Sequence, residues 1–391
     1  MQLTTITWSR SDGWSRDLAG LDALDSPRTL ALAFGDRELD TDPRPLHDLS
    51  RVLGRSHVVG CSSSGTFCGP DLDRADLVVA LARFERTVVT TASVPVTDAA
   101  ASLAAGRALA ADLHRPDLRA AFVLSDGLGV NGSDLVRGLR SGLPADAIVT
   151  GGLAGDAARF ERTWTYAGGK LSDRRVVAVG LAGRSLQVGY GSAGGWGIFG
   201  PERMVTRSEG NVLHELDGRP ALALYRHYLG ELAEGLPATA LRFPLAVRED
   251  GESEATVRTV LAVDDDAQTM TFAGDIPQGW RAQLMRSSVD RLVDGAATAG
   301  GMCRTRAAAD ARGGGAAAEA GNDTLGVAVS CVGRRLVLGE RTEEEIEATL
   351  RALGSETTLV GFYSYGEIAP DASGYCDLHN QTMTVVTYRE R

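Results

Sequence analysis

The chain has 391 residues, 43% hydrophobic and 23% charged, which is enough for two or three domains with real cores. A net charge of −11 and the lack of a basic tract exclude a duplex-nucleic-acid binder, which needs clustered Lys and Arg against phosphates. No apolar run approaches the roughly 20 residues that cross a bilayer, and residues 1–30 hold no basic start followed by an apolar stretch, so no membrane span or secretory leader is read and a cytoplasmic protein is expected.

In chain order, residues 1–27 read as an N-terminal extension. An apolar strand over 29–34 (TLALAF) leads to an amphipathic helix over 44–53. A second strand, HVVGCSSSG, then runs into a Gly/Ser turn at 60–65. The same pattern returns as AAFVLSDG (120–127), a helix over 133–141 and AIVTGGLAGD (147–156). Valine-rich strands follow over 174–191, where GYGSAG (189–194) fits GxGxxG. A dinucleotide site needs a helix opening at those glycines. Here GWGIFGP follows instead, so the motif reads as a turn between strands.

A helix is expected from about Pro220 to Glu231, with Leu222, Tyr225 and Leu229 on its apolar face, and strands over 241–273. The Ala/Gly-rich stretch 306–323 lacks apolar periodicity and reads as a flexible loop. The third copy of the pattern is GVAVSCVG (326–333), a helix from Thr342 and TLVGFYSYGE (358–367). Thr342 and Glu345 have the spacing of a capping box, Ile346, Leu350 and Leu353 have helical spacing, and Gly354 suits the stop. The fold expected is α/β (mixed α+β): two related domains, 28–219 and 220–391, made of strand–helix–strand units ending in Gly/Ser turns.

Five scattered cysteines, Cys61, Cys68, Cys303, Cys331 and Cys376, are not a disulfide framework and read as reduced, mostly buried thiols. Cys376 and His379 form CxxH, but no second pair sits at zinc spacing, so no metal site is expected. Haem needs only one axial ligand, which leaves His379 as an alternative haem ligand. A serine-nucleophile reading would use Ser364 with Asp377 and His379, or the thiol of Cys376. The GxSxG elbow spacing is absent and no helix follows Gly366, so no catalytic site is expected.

The densest polar segment is GFYSYGEIAPDASGYCDLHNQTMTVVTY (361–388). It gathers Tyr363, Ser364, Tyr365, Glu367, His379, Asn380, Gln381 and Thr382 beside a strand, and Arg334 could clamp a carboxylate. Convergent polar groups in an apolar setting are what small-ligand sites look like. The competing reading is a hydrogen-bond network tying the last strand to its sheet. Gly155, Asp156 and Trp196 would form the facing wall.

Long segments carry a family resemblance: VVGCSSSG, FVLSDGLGVNG, TGGLAGD and GWGIFGP, then LPATALRFPL, FAGDIPQG, SCVGRRLVLG, GFYSYGEIAP and LHNQTMT. In this order, over roughly 28–385, they resemble the FIST proteins, in which an N-terminal and a C-terminal FIST domain lie in tandem. The resemblance implies an intracellular sensory module for small molecules, amino acids among them, that signals to histidine kinases, chemoreceptors or cyclic-nucleotide enzymes. Some bacterial members look like haem proteins that sense nitric oxide. The FIST-like region fills nearly all of this chain, so the output is expected to pass to a separate partner protein, or the protein only binds and sequesters its ligand.

Overall fold

The computed structural model describes residues 1–157, 159–251, 255–312, 323–371 and 374–391. Its body is a cycle of three repeats. The first contains β1 (Gln2–Ser9), β2 (Thr29–Gly35), α1 (Arg44–Val52), β3 (His57–Ser62), a small hairpin of β4 (Thr66–Cys68) and β5 (Asp71–Leu72), and β6 (Leu77–Arg83). The second contains β7 (Val88–Pro95), α2 (Ser102–Leu113), β8 (Leu118–Ser125), α3 (Gly132–Arg140), β9 (Ile148–Leu153), the hairpin β10 (Thr165–Ala167) and β11 (Lys170–Ser172), and β12 (Arg175–Ala182).

The third repeat opens with β13 (Leu186–Ala193) and is then interrupted by an insert. The insert holds β14 (Arg203–Glu209), β15 (Val212–Leu216), α4 (Ala221–Leu229), β16 (Leu245–Arg248), β17 (Thr256–Arg258), β18 (Val260–Asp264), β19 (Thr269–Phe272) and β20 (Arg281–Arg286). The repeat resumes with α5 (Val289–Arg312), β21 (Thr324–Cys331), α6 (Val332–Leu338), α7 (Thr342–Leu353) and β22 (Thr357–Ser364). It closes with the hairpin β23 (Gly366–Pro370) and β24 (Cys376–His379), and β25 (Met383–Glu390).

In each repeat the two strands flanking the helix are parallel neighbours: β2 with β3, β8 with β9, β21 with β22. The last long strand returns antiparallel beside the first of each pair, and the opening strand lies outside it. The small hairpins leave their own repeats. β4–β5 adds to β22 of the third sheet, β10–β11 to β3 of the first, and β23–β24 to β9 of the second. Each repeat therefore lends its hairpin to another, and the exchange closes on itself.

The body strands are apolar on both faces because both are covered. Along β2, Leu30, Leu32 and Phe34 point into a central core shared with Phe122, Val327, Val329 and Phe362. Alternate residues Ala31 and Ala33 face a separate layer under α1. Phe34 and Phe362 stack with centroids 4.7 Å apart at the centre. The insert has its own core around Leu213, Leu222, Tyr225 and Met270.

Several expectations are corrected. The sheets do not divide at 219/220: β13, before that point, pairs along its length with β25 at the other end of the chain. Residues 1–27 are not a mere extension, because β1 pairs with β6 from Gln2 to Trp8. The expected loop at 306–323 begins as helix, since α5 runs to Arg312, and 313–322 lie outside the described residues. The capping box does not form: a 3-10 turn, Gly339–Arg341, leads into α7, and Thr342 Oγ1 donates back to the Gly339 carbonyl. Glu345 is buried instead by the partners described below. Gly354 does end the helix, at φ 99°.

The GxGxxG glycines form no turn. They let α5 lie directly on β13, since a Cβ at Gly191 would sit 2.1 Å from the Ala299 carbonyl oxygen and one at Gly189 would sit 2.5 Å from that of Cys303. The helix answers with small residues every fourth position, Gly295, Ala299 and Cys303. Gly191→Ala is therefore expected to cost about 1–3 kcal/mol through overpacking. Gly301→Ala, on the same helix with nothing within 4 Å of its added methyl, should gain about 0.5–1 kcal/mol. Urea unfolding of the two variants checks the pair, and equal effects would refute the close packing of α5 on β13.

Candidate functional site

The three parallel pairs end at one place. Ser64 N–H donates to the Tyr363 carbonyl at 2.8 Å, and Tyr363 N–H donates to that of Gly65 at 2.8 Å. Gly155 N–H reaches Ser62 O at 3.1 Å, and Tyr365 N–H reaches Leu153 O at 3.1 Å. The Gly/Ser turns thus bond to one another rather than standing open to solvent. Gly155 is needed there because a Cβ would lie 2.3 Å from Ser64 Oγ.

The polar cluster of the last 30 residues divides into parts with different surroundings. One part is a saturated internal network. Arg334 is fully buried, and its guanidinium donates to Glu345 Oε2 at 2.7 and 3.1 Å, to the Leu292 carbonyl at 2.7 Å and to the Gly194 carbonyl. Glu345 Oε1 accepts from Ser330 Oγ at 3.0 Å and from Tyr363 OH at 2.7 Å. Arg334 and Tyr363 thus point their main donors at protein acceptors and both are fully buried, and the expected carboxylate clamp is an internal one, on Glu345. Tyr365 is likewise committed: its hydroxyl donates to Asp156, and its ring stacks on Phe160 at 4.4 Å.

Ser364 Oγ donates to Glu367 Oε1 at 2.6 Å and lies 3.3 Å from the Ser330 carbonyl. Glu367 Oε2 accepts from Thr382 N–H and Oγ1, each at 3.1 Å. Among the described residues no hydrogen bond joins Ser364 to His379, so the Ser–His–Asp arrangement is not assembled. Cys376 is buried, its thiol donates to the Val149 carbonyl at 3.3 Å, and burial pushes its pKa well up, away from thiolate character. All five cysteines are free, and all but half-buried Cys68 are buried.

The other part faces space. His379, Asn380 and Thr382 line a cleft of about 350 Å³ with Asp377, Trp196, Val257 and Met285. The body supplies one wall and the insert the other. Trp196 thus takes the place expected for a facing wall, and its indole N–H donates to the Gln381 carbonyl at 2.8 Å. Asp156 lies elsewhere, bonded to the amides of Phe160, Glu161 and Arg162.

The cleft borders a seam with unmet hydrogen-bond demand. Asn380 is fully buried; its Oδ1 accepts from Thr259 N–H at 3.3 Å, but its Nδ2 has no partner. Thr259 Oγ1 and Gln381 Oε1 are also buried without partners, while Gln381 Nε2 donates to the Leu241 carbonyl of the insert at 2.8 Å. Gln381 has φ 64°, a left-handed backbone uncommon outside glycine. Buried Arg258 crosses the same seam from the insert and donates to the Leu378 carbonyl at 2.9 Å.

His379 Nε2 donates to the Ala369 carbonyl at 3.0 Å, and burial lowers its pKa, which keeps the ring neutral with Nδ1 unprotonated. This bond does not fit haem ligation through Nε2. The adjoining cleft, with acid, amide and hydroxyl groups on its body side, is no flat apolar slot for a macrocycle.

A second cleft, of about 470 Å³, lies at the ends of β2 and β3, lined by Asp36, Ser63, Asp76, Asp156 and Arg335. Burial and the neighbouring Asp76 raise the Asp36 carboxyl to about 7. Asp36, Asp76 and Arg335 were not picked out from sequence. The available signal was the repeat: Asp36 and Asp126 each directly follow the first strand of a parallel pair.

Residues 29–219 match the FIST N domain and residues 221–370 match the FIST C domain. The chain belongs to the FIST family. FIST domains are associated with signal-transduction sensing of small ligands. No curated protein matches the chain. A solved cyanuric acid hydrolase from A. caulinodans is 14% identical over 78% of this FIST chain and 99% of its own, with a TM-score of 0.17, too low to carry any argument. Among the described residues no helix is long and apolar enough to cross a membrane, and no cluster of His, Cys, Asp or Glu could hold a metal ion.

Glu367 yields a pH test. Burial lifts its carboxyl from an ordinary 4.5 to about 8. Between those values the folded chain holds a proton that the unfolded chain releases. The group's contribution is thus whole below about pH 4.5 and lost as pH rises to about 8. Relative to Glu367→Gln, which stays neutral, the wild-type urea midpoint should fall from pH 5 to pH 8.5. Parallel profiles would show that Glu367 is ionised throughout.

Proposed function

We propose that this FIST protein is a small-molecule sensor whose ligand occupies the cleft between body and insert beside His379, Asn380 and Thr382. The observation that carries the reading is Asn380, a residue at the cleft whose fully buried side-chain amide lacks an acceptor for its Nδ2 protons. An unpaired buried donor costs about 1–3 kcal/mol, and a ligand oxygen would recover that cost.

A small polar metabolite bearing a carboxylate or amide fits, and an amino acid fits best. Its oxygen would accept from Asn380 and its ammonium would face Asp377. Its side chain would lie against Trp196 and Met285, in a cleft within the size range of small-ligand sites. Because the walls come from different bodies, a bound ligand favours one placement of the insert over others. Differential binding of that kind is the physical requirement for passing a signal to a partner protein.

Thermal melts with a panel of amino acids and their amides test the proposal. A ligand at about 100 times its Kd adds about 2.7 kcal/mol. Asn380→Ala should abolish that shift, measured against the variant's own ligand-free melt, which falls because Thr259 N–H loses the Oδ1 acceptor. An undiminished shift in the variant, or no shift with any member of the panel, would reject the cleft as the site.

A further inference from the structure

A third cleft opens elsewhere along the seam between body and insert, with a different character. It encloses about 530 Å³ between Phe160 of the body, Leu336 of α6, and Leu241, Val260 and Leu261 of the insert, with Arg159 and Arg242 also on its wall. Its lining is mostly apolar with few polar groups, the composition that favours a small organic guest over water.

The walls are preformed. Phe160 is held at φ 55°. Its N–H donates to Asp156 Oδ1 at 2.9 Å and lies 3.2 Å from Tyr365 OH, and its ring is stacked within 12° of parallel on Tyr365. Leu241 is 2% exposed, but Leu336 is 42% exposed although it borders the cavity. A guest that covered Leu336 would remove that apolar surface from water.

The two arginines differ. Arg159 is engaged by Glu38 at 2.6 Å. Arg242 is exposed and makes no ion pair or hydrogen bond among the described residues, so one guanidinium at an apolar cavity remains available. Apolar walls beside an unengaged guanidinium match a molecule that is apolar at one end and anionic at the other.

From this geometry we infer a second ligand site, independent of the polar cleft, that takes a small amphipathic carboxylic acid such as an arylacetate or a short-chain acyl acid. The apolar portion lies between Phe160, Leu261 and Leu336, and the carboxylate pairs with Arg242. Like the polar cleft, this site has walls from both bodies, so the two ligands would act on the same seam.

Calorimetric titration of the intact chain with phenylacetate and hexanoate, each beside its neutral amide, tests the assignment. Each acid should bind about tenfold or more tighter than its amide. Arg242→Gln should reduce the acid to the level of the amide. Leu261→Asp should remove binding of both while the thermal melt stays near wild type. Asn380→Ala should leave these titrations unchanged, which separates this site from the polar cleft. No saturable binding at millimolar acid, equal affinity for acid and amide, indifference to Arg242→Gln, or loss of binding in Asn380→Ala would each overturn the inference.

Discussion

The mutual hydrogen bonding of the strand-end turns is the constraint on which the rest of the molecule depends. Ser64 with Tyr363, Ser62 with Gly155, and Leu153 with Tyr365 join the ends of all three parallel pairs. Each turn uses backbone amides that would otherwise need water or a ligand. The exchanged hairpins follow from the same place, because each leaves its own strand end and pairs with the sheet of another repeat. Glycine at the closest approaches, and Gly65 at φ 136°, lets three backbones meet there.

Around that junction the buried polar groups take two roles. The Arg334–Glu345–Tyr363–Ser330 network joins α6, α7 and two strands to the start of α5. Such a buried ion pair adds little net stability, since desolvation offsets much of the attraction, but each member leaves the other stranded if removed. Asn380 and Gln381, nearer the C-terminus, lie where body meets insert and are incompletely paired. A cluster that looks uniform along the chain is thus part saturated network and part incompletely paired seam. The division follows which neighbours the fold brings within hydrogen-bond reach.

The insert supplies one wall of both seam clefts. It interrupts the third repeat between β13 and α5 and carries its own apolar core. Its polar contacts with the body include those of Arg258, Thr259 and Leu241 with Leu378, Asn380 and Gln381, and of Asp275 with Asn131. A seam held by polar contacts and flanked by cavities is easier to shift than a continuous apolar core.

Much of the fold was legible from residue pattern. The three strand–helix–strand units, the helices under Leu46, Leu135 and Ile346, and the stop at Gly354 all rest on local periodicity and capping chemistry, which a chain carries wherever it folds. The dense polar segment at 361–388 was visible for the same reason. Pairing was not visible: β1 with β6, β13 with β25, and each hairpin with a foreign sheet are contacts between residues far apart in sequence. Neither was the purpose of Gly189 and Gly191, because a glycine that opens a turn and one that admits a helix look the same in sequence. Residue types settled which groups can donate and accept hydrogen bonds. Only tertiary packing decided that Arg334 and Tyr363 would bond to Glu345 while Asn380 Nδ2 stayed unpaired, because hydrogen-bond satisfaction depends on what is brought alongside.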